Sequence, residues 1–278
     1  MDYKRKIDFA IKLLRNIPTD SGAIEVSYSG GKDSDVILQL AKMAGIQYEA
    51  IYKNTTIDPP GTIQHCREMG ATILQPKMNF HELVAKKGWP SRFSRFCCSE
   101  LKEYKVRDRA IQGIRREEST ARAARYKEPE YCRTNSAKEK VRVYLPILEW
   151  TLEDVTRFIE EQGIKCAPHY YDEQGNFHPE RRLGCIGCPL QTDCGKAELK
   201  KYPSLLKARI RAAQKYCDTH PNRGNAYLRD GYEMAMFGLF FKKVEDFNAV
   251  MGRDNNLFHI PVDAKAFLED YFKTDLTI

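Results

Sequence analysis

The stretch that decides the fold runs from residue 23 to residue 34 and reads Ala23-Ile24-Glu25-Val26-Ser27-Tyr28-Ser29-Gly30-Gly31-Lys32-Asp33-Ser34. Its first half is rich in β-branched and aromatic side chains, which favour a strand. Its second half is polar and holds two adjacent glycines, which favour a turn, and apolar positions at helical spacing follow over residues 36–43. The sequence therefore predicts a strand, a glycine loop and a helix in succession.

The same alternation continues on both sides of this stretch. Helices are predicted over residues 7–17, 62–69 and 152–162, and strands over residues 48–52, 71–74 and 141–148. Thr151 is a plausible N-cap for the last of these helices. Alternating strands and helices predict an α/β fold with a doubly wound, mainly parallel sheet, which binds ligands at the carboxyl ends of its strands.

Two segments differ from this pattern. Residues 102–142 carry a net positive charge and few large apolar groups after Ile114, which is typical of a mobile flap, a substrate-facing surface or a charged helix. A cysteine-rich loop over residues 166–195 leads into a basic helical run over residues 196–215 and an aromatic tail. We therefore expect a first domain over residues 1–195, which includes the cysteine loop, and a helical C-terminal extension over residues 196–278.

The composition excludes several classes of protein. The chain has 278 residues, a formal charge of +7 and 42% apolar residues, which is typical of a packed protein rather than a disordered one. No run of about 20 apolar residues exists to span a membrane, and the charged start of the chain has no apolar export segment. We therefore expect a cytoplasmic protein without a membrane partner, in which clustered cysteines bind metal or react rather than form disulfides.

The glycine loop is a candidate phosphate site. Backbone N–H groups at a helix N-terminus bind anions, and glycines let a phosphate approach without a Cβ in the way. Lys32 is a candidate phosphate ligand, and Asp33 is a candidate helix-start residue that also suits magnesium. The loop differs from the Walker loop and resembles the PP-loop of the ATP pyrophosphatases, Ser-Gly-Gly-x-Asp-Ser, which grips the pyrophosphate of ATP.

Four further segments extend the resemblance: Asn54–Pro59, Gly113–Arg122, Pro146–Val155 and Arg182–Pro189. Together with the loop they resemble the motifs of the phosphoadenosine-phosphosulfate (PAPS) reductase family, which includes the DndC and SspD proteins of DNA phosphorothioation. The resemblance implies an adenine nucleotide alpha hydrolase-like fold and an enzyme that binds ATP with magnesium, with Lys32, Asp33 and Arg115 as catalytic residues. The nucleotide-binding residues that it implies are Ser29, Gly30, Gly31, Lys32, Asp33, Ser34, Asn54, Thr55, Arg115, Glu118, Ser119 and Arg122.

Five of the nine cysteines are clustered in the sequence. Cys185 and Cys188 form a Cys-x-x-Cys turn, Cys194 follows, and the adjacent Cys97 and Cys98 offer a fourth thiolate, a set that suits an iron–sulfur cluster or zinc. The resemblance to DndC-type proteins implies a [4Fe-4S] cluster on Cys98, Cys185, Cys188 and Cys194, with Cys97 as a substitute for Cys98 and zinc as the alternative metal. We interpret the other four as small buried apolar residues: Cys66, Cys132, Cys166 and Cys217.

Members of this superfamily either reduce sulfonucleotides or use ATP to activate a substrate for sulfur insertion. The glycine loop is complete, and residues 263–278 lack the cysteine of the reductases' Glu-Cys-Gly-x-His tail. We therefore expect an ATP pyrophosphatase that activates an acceptor for sulfur from a cysteine desulfurase or another donor. The alternatives are a thioredoxin-linked reductase of PAPS or adenylyl sulfate, and a non-catalytic sensor or partner subunit that binds a nucleotide and a cluster.

The basic helical run makes a nucleic acid a candidate acceptor, because lysine and arginine contacts to phosphates dominate binding to nucleic acids. A solvated helix face is the alternative interpretation. The candidate phosphate contacts are Lys200, Lys201, Lys207, Arg209 and Arg211.

Overall fold

A computed structural model describes residues 2–19, 22–134, 139–253 and 260–278. The helices are α1 Tyr3–Arg15, α2 Lys32–Ala44, α3 Thr62–Glu68, α4 Phe80–Lys87, α5 Phe96–Leu101, α6 Thr120–Arg125, α7 Leu152–Glu161, α8 Lys196–Lys201, α9 Pro203–Thr219, α10 Gly231–Phe240, α11 Val244–Val250 and α12 Ala264–Phe272. The strands are β1 Ile24–Tyr28, β2 Tyr48–Lys53, β3 Thr72–Leu74, β4 Arg109–Ile111, β5 Glu130–Thr134 and β6 Lys140–Tyr144. Among these helices, none is long and apolar enough to cross a membrane.

The described strands form one sheet in the order β3-β2-β1-β4-β6-β5. Neighbouring strands are parallel except at the edge, where β5 runs antiparallel to β6. The chain moves outward from β1 through β2 to β3, and β4 then returns to the other side of β1. This reversal of strand order opens a crevice for ligands at the carboxyl ends of β1 and β4. The predicted doubly wound, mainly parallel α/β fold is confirmed.

The strands at the centre of the sheet are covered on both faces. Ile24 and Val26 of β1 lie on one face of the sheet and Ala110 of β4 lies on the other, and none of the three has exposed surface, as expected where both faces of a parallel sheet are covered. The helix α2 packs against α1 and α7. Each fully buried valine or isoleucine side chain contributes about 1.5–3 kcal/mol to stability. This core therefore holds the loop between β1 and α2 in place.

The strand β4 lies inside the basic segment that the sequence did not predict as a strand. It has three residues, and it begins with Arg109, whose buried guanidinium donates to the carbonyl oxygen of Gly22 at 3.3 Å. Three residues are too few to show an alternating pattern, and a basic residue at the first position hides it further. Tertiary pairing with β1 and β6 makes this segment a central strand.

Two compact units divide the chain. The first comprises Met1–Asn54, Asp58–Pro76 and Leu101–Leu183, and the second comprises Thr55–Ile57, Lys77–Glu100 and Gly184–Ile278. This division differs from the predicted boundary after residue 195, because α4 and the cysteine loop from Gly184 onward belong to the same unit as the C-terminal helices.

The second unit is helical, as predicted for the C-terminal region. In it, α9 packs against α4, α8 and α10. Gly231 permits the close approach of α10 to α9, since a Cβ there would lie 2.5 Å from the carbonyl oxygen of Ile210. The helices therefore pack through a residue without a side chain at this crossing.

Candidate nucleotide and cysteine sites

The glycine loop connects β1 to α2 at the predicted place. Gly30 has a φ of +73°, which side chains disfavour, and a Cβ there would lie 3.1 Å from the sulfur of Cys66. Gly31 is the N-cap of α2 and contributes no side-chain cap, so the helix N-terminus is not closed by its own cap residue. The loop thus combines a close-fitting backbone with a helix N-terminus suited to an anion.

Asp33 contacts both of the other residues that are expected to be catalytic, Lys32 and Arg115. One of its carboxylate oxygens lies 3.1 Å from Nζ of Lys32, and the other lies 2.6 Å from Nε of Arg115. Lys32 and Arg115 are each only 4% exposed. Arg115 also contacts the carboxylate of Glu117 at 2.7 Å, but that side chain is 47% exposed. A phosphate group can therefore take the place of Glu117 as the partner of Arg115.

Gly113 explains how Arg115 reaches the loop. A Cβ at Gly113 would lie 2.8 Å from the carbonyl oxygen of Asp33, so only glycine lets the chain after β4 approach the first turn of α2 this closely. The first glycine of the Gly113–Arg122 motif therefore has a packing role, and the arginine two residues later has an electrostatic one.

The remainder of the same motif forms a short capped helix. Ser119 is the N-cap of α6 and accepts a hydrogen bond from the backbone N–H of Arg122 at 3.2 Å. The carboxylate of Glu118 pairs with the guanidinium of Arg122 and lies 3.7 Å from Arg182. Burial lowers the pKa of Arg122, and the charge of Arg182 acts in the same direction. Two arginines therefore converge on one carboxylate, an arrangement that an anionic ligand would stabilise.

Three other motif residues make contacts of their own. Arg116 pairs with the carboxylate of Glu149. The side-chain amide of Asn54 donates to Gln75 at 2.8 Å. Thr55 belongs to the second unit, where its hydroxyl lies 3.5 Å from the sulfur of Cys185.

Tyr170 is a loop contact that the sequence analysis missed. Its hydroxyl oxygen accepts a hydrogen bond from the backbone N–H of Lys32 at 3.2 Å, and Nζ of Lys32 lies 5.6 Å from its ring centroid. Burial raises the pKa of this tyrosine, which therefore stays neutral. No motif marks Tyr170, because the contact joins residues 138 positions apart in the chain.

A buried polar cluster supports the first turns of α2. Tyr28 donates to the carboxylate of Asp35, and Nε2 of His65 lies 3.0 Å from both the Tyr28 hydroxyl and the Asp35 carboxylate. Burial raises the pKa of Asp35, whereas the hydrogen bond and the charge of His65 lower it. The cluster ties β1, α2 and α3 together, and no sequence motif indicated it.

The five clustered cysteines all belong to the second unit. Cys97 and Cys98 lie in the first turn of α5, and Cys185 and Cys188 flank a tight turn. The pKa of Cys97 is raised, first by its hydrogen bond with Cys98, then by burial, and further by the nearby Cys98, Cys185 and Cys188. Cys98, Cys185 and Cys188 therefore lie close enough to Cys97 for their charges to affect its pKa.

Cys194 reaches the same turn through a close backbone contact. Gly195 has a φ of +79°, and a Cβ there would lie 2.3 Å from Cα of Gly187. Cys194 itself has a φ of +59°, a value that few residues other than glycine adopt. The guanidinium of Arg92 donates to the carbonyl oxygen of Gln191 at 2.8 Å and holds this segment in place.

The type and number of the clustered cysteines suit a metal site, whereas their present positions do not form one. Within residues 2–19, 22–134, 139–253 and 260–278, no three Cys, His, Asp or Glu side chains are placed to hold a metal ion. All five clustered cysteines are free thiols and partly accessible. Metal binding requires thiols to lose their protons and to converge on the ion, so donor type and number agree with the predicted site. The iron–sulfur cluster remains a prediction.

The four scattered cysteines divide into two groups. Cys66, Cys166 and Cys217 are buried, as predicted, and burial raises the pKa of each, to about 12 for Cys66. Cys132 is exposed, so its interpretation as a buried residue is wrong. It lies on β5, an edge strand of the sheet on which exposed and partly buried residues alternate.

A doubly wound sheet that carries a glycine loop and two buried cations at its switch point defines a nucleotide-binding α/β protein. The sequence profile of the phosphoadenosine phosphosulfate reductase domain matches residues 23–191, which is more than half of the chain. The chain belongs to this family, as its motifs predicted. The matched region includes Cys185 and Cys188, whereas Cys194 lies just beyond it.

Two curated relatives, both uncharacterized, are similar to the chain. It is 34% identical to a 37.8 kDa protein of Escherichia phage 186 over 170 aligned residues. The aligned region covers 55% of this chain and 48% of the relative. It is 29% identical over 218 residues to a protein of Methanocaldococcus jannaschii, which covers 73% and 50% respectively. The chain therefore spans about half the length of the curated relatives it matches.

Solved structures are similar to the chain in fold alone. The FMN adenylyltransferase of Candida glabrata, in complex with FMN and an ATP analog, has a TM-score of 0.46 and 15% sequence identity to this chain. The match covers 66% of this chain and 62% of the adenylyltransferase chain. The PAPS reductase of Candida auris, as a phosphate complex, has a TM-score of 0.42 and 17% identity over 59% and 87% respectively.

Proposed function

We propose that the protein binds ATP, releases pyrophosphate and thereby activates an acceptor for sulfur transfer. The observation that carries this proposal is the complete glycine loop, with Lys32 and Arg115 held at the carboxyl ends of β1 and β4. An acceptor oxygen attacks the α-phosphorus of ATP as the bond to the β-phosphate oxygen breaks, and pyrophosphate leaves. The outer sulfur of a cysteine desulfurase persulfide, or hydrosulfide from another donor, then attacks the activated centre, and AMP leaves with the oxygen. With a persulfide donor, a second thiol cleaves the sulfur–sulfur bond and is oxidised to a disulfide.

In this proposal the chain supplies positive charge and backbone donors at the leaving group. Lys32 and the loop N–H groups stabilise the negative charge that develops on the departing pyrophosphate. Both oxygens of Asp33 already contact cations, so we assign to Asp33 the orientation of Lys32 and Arg115. Magnesium then enters as the counter-ion that ATP carries on its phosphates.

The environments of the cysteines argue against the reductase alternative. A sulfonucleotide reductase needs a nucleophilic thiolate, and a reactive cysteine has a lowered pKa and access to solvent. Cys66, Cys166 and Cys217 are buried and have raised pKa values instead. The other cysteines are Cys132, the four that the proposed metal site employs, and Cys97, whose pKa is also raised.

The test compares ATP with adenylyl sulfate and PAPS. We expect calorimetry to give tighter binding for ATP, and a phosphate-coupled assay to detect pyrophosphate only when an acceptor is present. Sulfite release from a sulfonucleotide with thioredoxin would replace this proposal with the reductase. ATP binding without turnover across nucleic acid and small-molecule acceptors would favour the sensor.

We further propose a [4Fe-4S] cluster on Cys98, Cys185, Cys188 and Cys194. Protein purified without oxygen should be brown, and Cys185→Ser or Cys188→Ser should remove the colour and the bound iron and sulfide, because each loses a thiolate ligand. Cys132→Ser is the matched control, since Cys132 is exposed and lies in the other unit.

The adjacent cysteines provide a finer test. Cys98→Ser should lose the cluster and Cys97→Ser should keep it, and the reverse result would assign the ligand to Cys97. Colourless protein with one bound zinc would exclude the cluster and leave a four-thiolate site. Protein that binds neither metal would refute both.

A basic groove between α4 and α9 supports a nucleic acid as the acceptor. The groove has a volume of about 820 Å³, and its charged lining includes Lys86, Arg211, Lys215 and Glu82. Of the contacts predicted from the sequence, Arg211 lies in this groove, Lys207 pairs with Asp275 at 3.3 Å, and Arg209 is buried. The prediction for Arg209 as a surface contact is therefore wrong.

Binding of DNA or RNA oligonucleotides should accordingly weaken with salt. Removing Lys86, Arg211 and Lys215 together by substitution with Ala should flatten the slope of log affinity against log salt by about two to three, since each phosphate contact contributes roughly 0.7–0.9. Lys242→Ala is the control, because this exposed lysine does not line the groove and is not among the predicted phosphate contacts. An unchanged slope in the triple variant would mean that the groove makes no phosphate contacts.

A further inference from the structure

Arg209 is a fully buried cation in the second unit. It lies on α9 and is 1% exposed. Its Nη1 donates to the carbonyl oxygen of Gly187 at 2.8 Å, and its Nη2 donates to that of Ile186 at 2.9 Å. These carbonyl groups belong to the turn between Cys185 and Cys188, so the guanidinium holds the backbone that presents both thiols.

The remaining contacts of Arg209 are aromatic. Its guanidinium carbon lies 4.7 Å from the ring centroid of Phe80 and 5.3 Å from that of Trp89. Its Nε is buried without a hydrogen-bond partner. Aromatic faces attract a cation but leave its charge uncompensated.

No ion pair among the described residues includes Arg209, although burial of a guanidinium is unfavourable without a counter-charge. Burial lowers the pKa of Arg209 to about 10, and the groups that raise it are, in order, Cys97, Cys185, Cys188 and Glu198. Glu198 already accepts a hydrogen bond from the backbone N–H of Gly187 at 2.8 Å. Cys185 and Cys188 flank the turn that Arg209 holds, and their thiols become negative when they bind a metal ion as thiolates.

We propose that Arg209 is the fixed counter-charge of the cysteine site, tethered to the Ile186–Gly187 turn to offset the negative charge of metal-bound thiolates. This inference rests on the metal site proposed above. Four thiolates around zinc or around an iron–sulfur cluster leave a net negative charge, and a cation held in a desolvated position acts on it strongly. Arg209 is thus a positioning and charge-compensating residue, and it is not a ligand.

The test replaces Arg209 and measures the loaded site without an activity assay. The variants are Arg209→Met, which keeps bulk and removes charge, and Arg209→Lys, which keeps charge and loses the paired donors. Arg229→Met is the matched control, since Arg229 is an exposed arginine of the same unit. Each protein is loaded anaerobically with Fe²⁺ and sulfide, and separately with Co²⁺ as an optical probe of thiolate ligation.

We expect reduction of the cluster in Arg209→Met to become at least about tenfold less favourable, a shift of ~59 mV to lower potential, because the reduced cluster is the more negative form. Arg209→Lys should shift less, and Arg229→Met should not shift. The Co²⁺ affinity of Arg209→Met should fall by about ten- to hundredfold, as is usual for residues behind metal ligands. Arg209→Gln serves as a second neutral variant if Arg209→Met does not fold.

The outcomes separate this inference from the proposals on which it depends. If the parent binds metal and both neutral variants match it in potential and Co²⁺ affinity, the counter-charge is refuted and the metal site stands. If the parent binds neither probe, the metal site fails and the counter-charge fails with it. Neither measurement involves ATP, so a failure of the pyrophosphatase proposal leaves the result for Arg209 unaffected.

Discussion

Lys32→Ala is expected to slow acceptor-dependent pyrophosphate release by about 10²- to 10³-fold, the usual effect of removing one preorganised donor from a developing charge. ATP affinity should fall far less, by about tenfold, because the loop N–H groups and Arg115 still bind the phosphates. The difference arises because negative charge on the departing pyrophosphate is greater in the transition state than in bound ATP. Calorimetry gives the affinity, and single-turnover pyrophosphate release gives the rate.

Lys42→Ala is the matched control, since Lys42 is exposed in the last turn of the same helix and should leave both quantities unchanged. The stability of the variant also needs to be measured. Without Lys32, Asp33 loses one of the two cations that it contacts and keeps Arg115. Thermal unfolding should therefore accompany the kinetics. A loss of ATP affinity with an unchanged single-turnover rate at saturating ATP would show that Lys32 stabilises bound ATP and the transition state equally.

Gly31→Val is expected to abolish ATP binding, with a loss of at least about 100-fold, equivalent to two or more hydrogen bonds to charged phosphate. A Cβ at Gly31 would lie 3.3 Å from the Tyr170 hydroxyl and 3.4 Å from Oγ of Ser29, so the branched side chain has no room beside the loop. It must occupy the space in front of the helix N-terminus, where a phosphate would approach.

The fold should survive this substitution. Gly31 has a φ of −88° and a ψ of 157°, an extended conformation that valine adopts readily. Gly224→Val is the control, because nothing lies within 4 Å of a Cβ at that position. Circular dichroism and the unfolding midpoint should match the parent in both variants. Retention of ATP binding by folded Gly31→Val would place the phosphates elsewhere.

Together the two substitutions separate binding from catalysis at one loop. Gly31→Val acts on the space that a nucleotide needs, and Lys32→Ala acts on the charge that a transition state develops. A protein in which both changes affect binding alone would be a nucleotide-binding sensor rather than an enzyme.

The sequence by itself determined the β1, glycine loop and α2 unit, because every signal for it lies within 22 consecutive residues. β-branched residues, two glycines and helical spacing act locally, so Ala23–Ala44 folds as its own pattern predicts. The N-cap of α7, Thr151, was predicted for the same reason, and Asp154 completes a capping box with it. Family motifs added Arg115 to the loop, although neither spacing nor composition connects the two.

Only the tertiary structure decided which distant residues complete these sites. Tyr170 meets Lys32 across 138 residues, and β4 becomes a strand through its pairing with β1 and β6. Arg209 shows most clearly how the role of a residue depends on the tertiary structure. It lies beside Ile210 and three positions after Leu206, both fully buried, so the helical period already placed a basic residue on the apolar face of α9. The helical period does not show whether the side chain of such an arginine extends to solvent or is buried. That depends on hydrogen-bond acceptors and aromatic rings from other parts of the chain. Here the carbonyl groups of Ile186 and Gly187 and the rings of Phe80 and Trp89 hold it inside, because the carbonyl oxygens accept from both terminal nitrogens and the rings attract the cation.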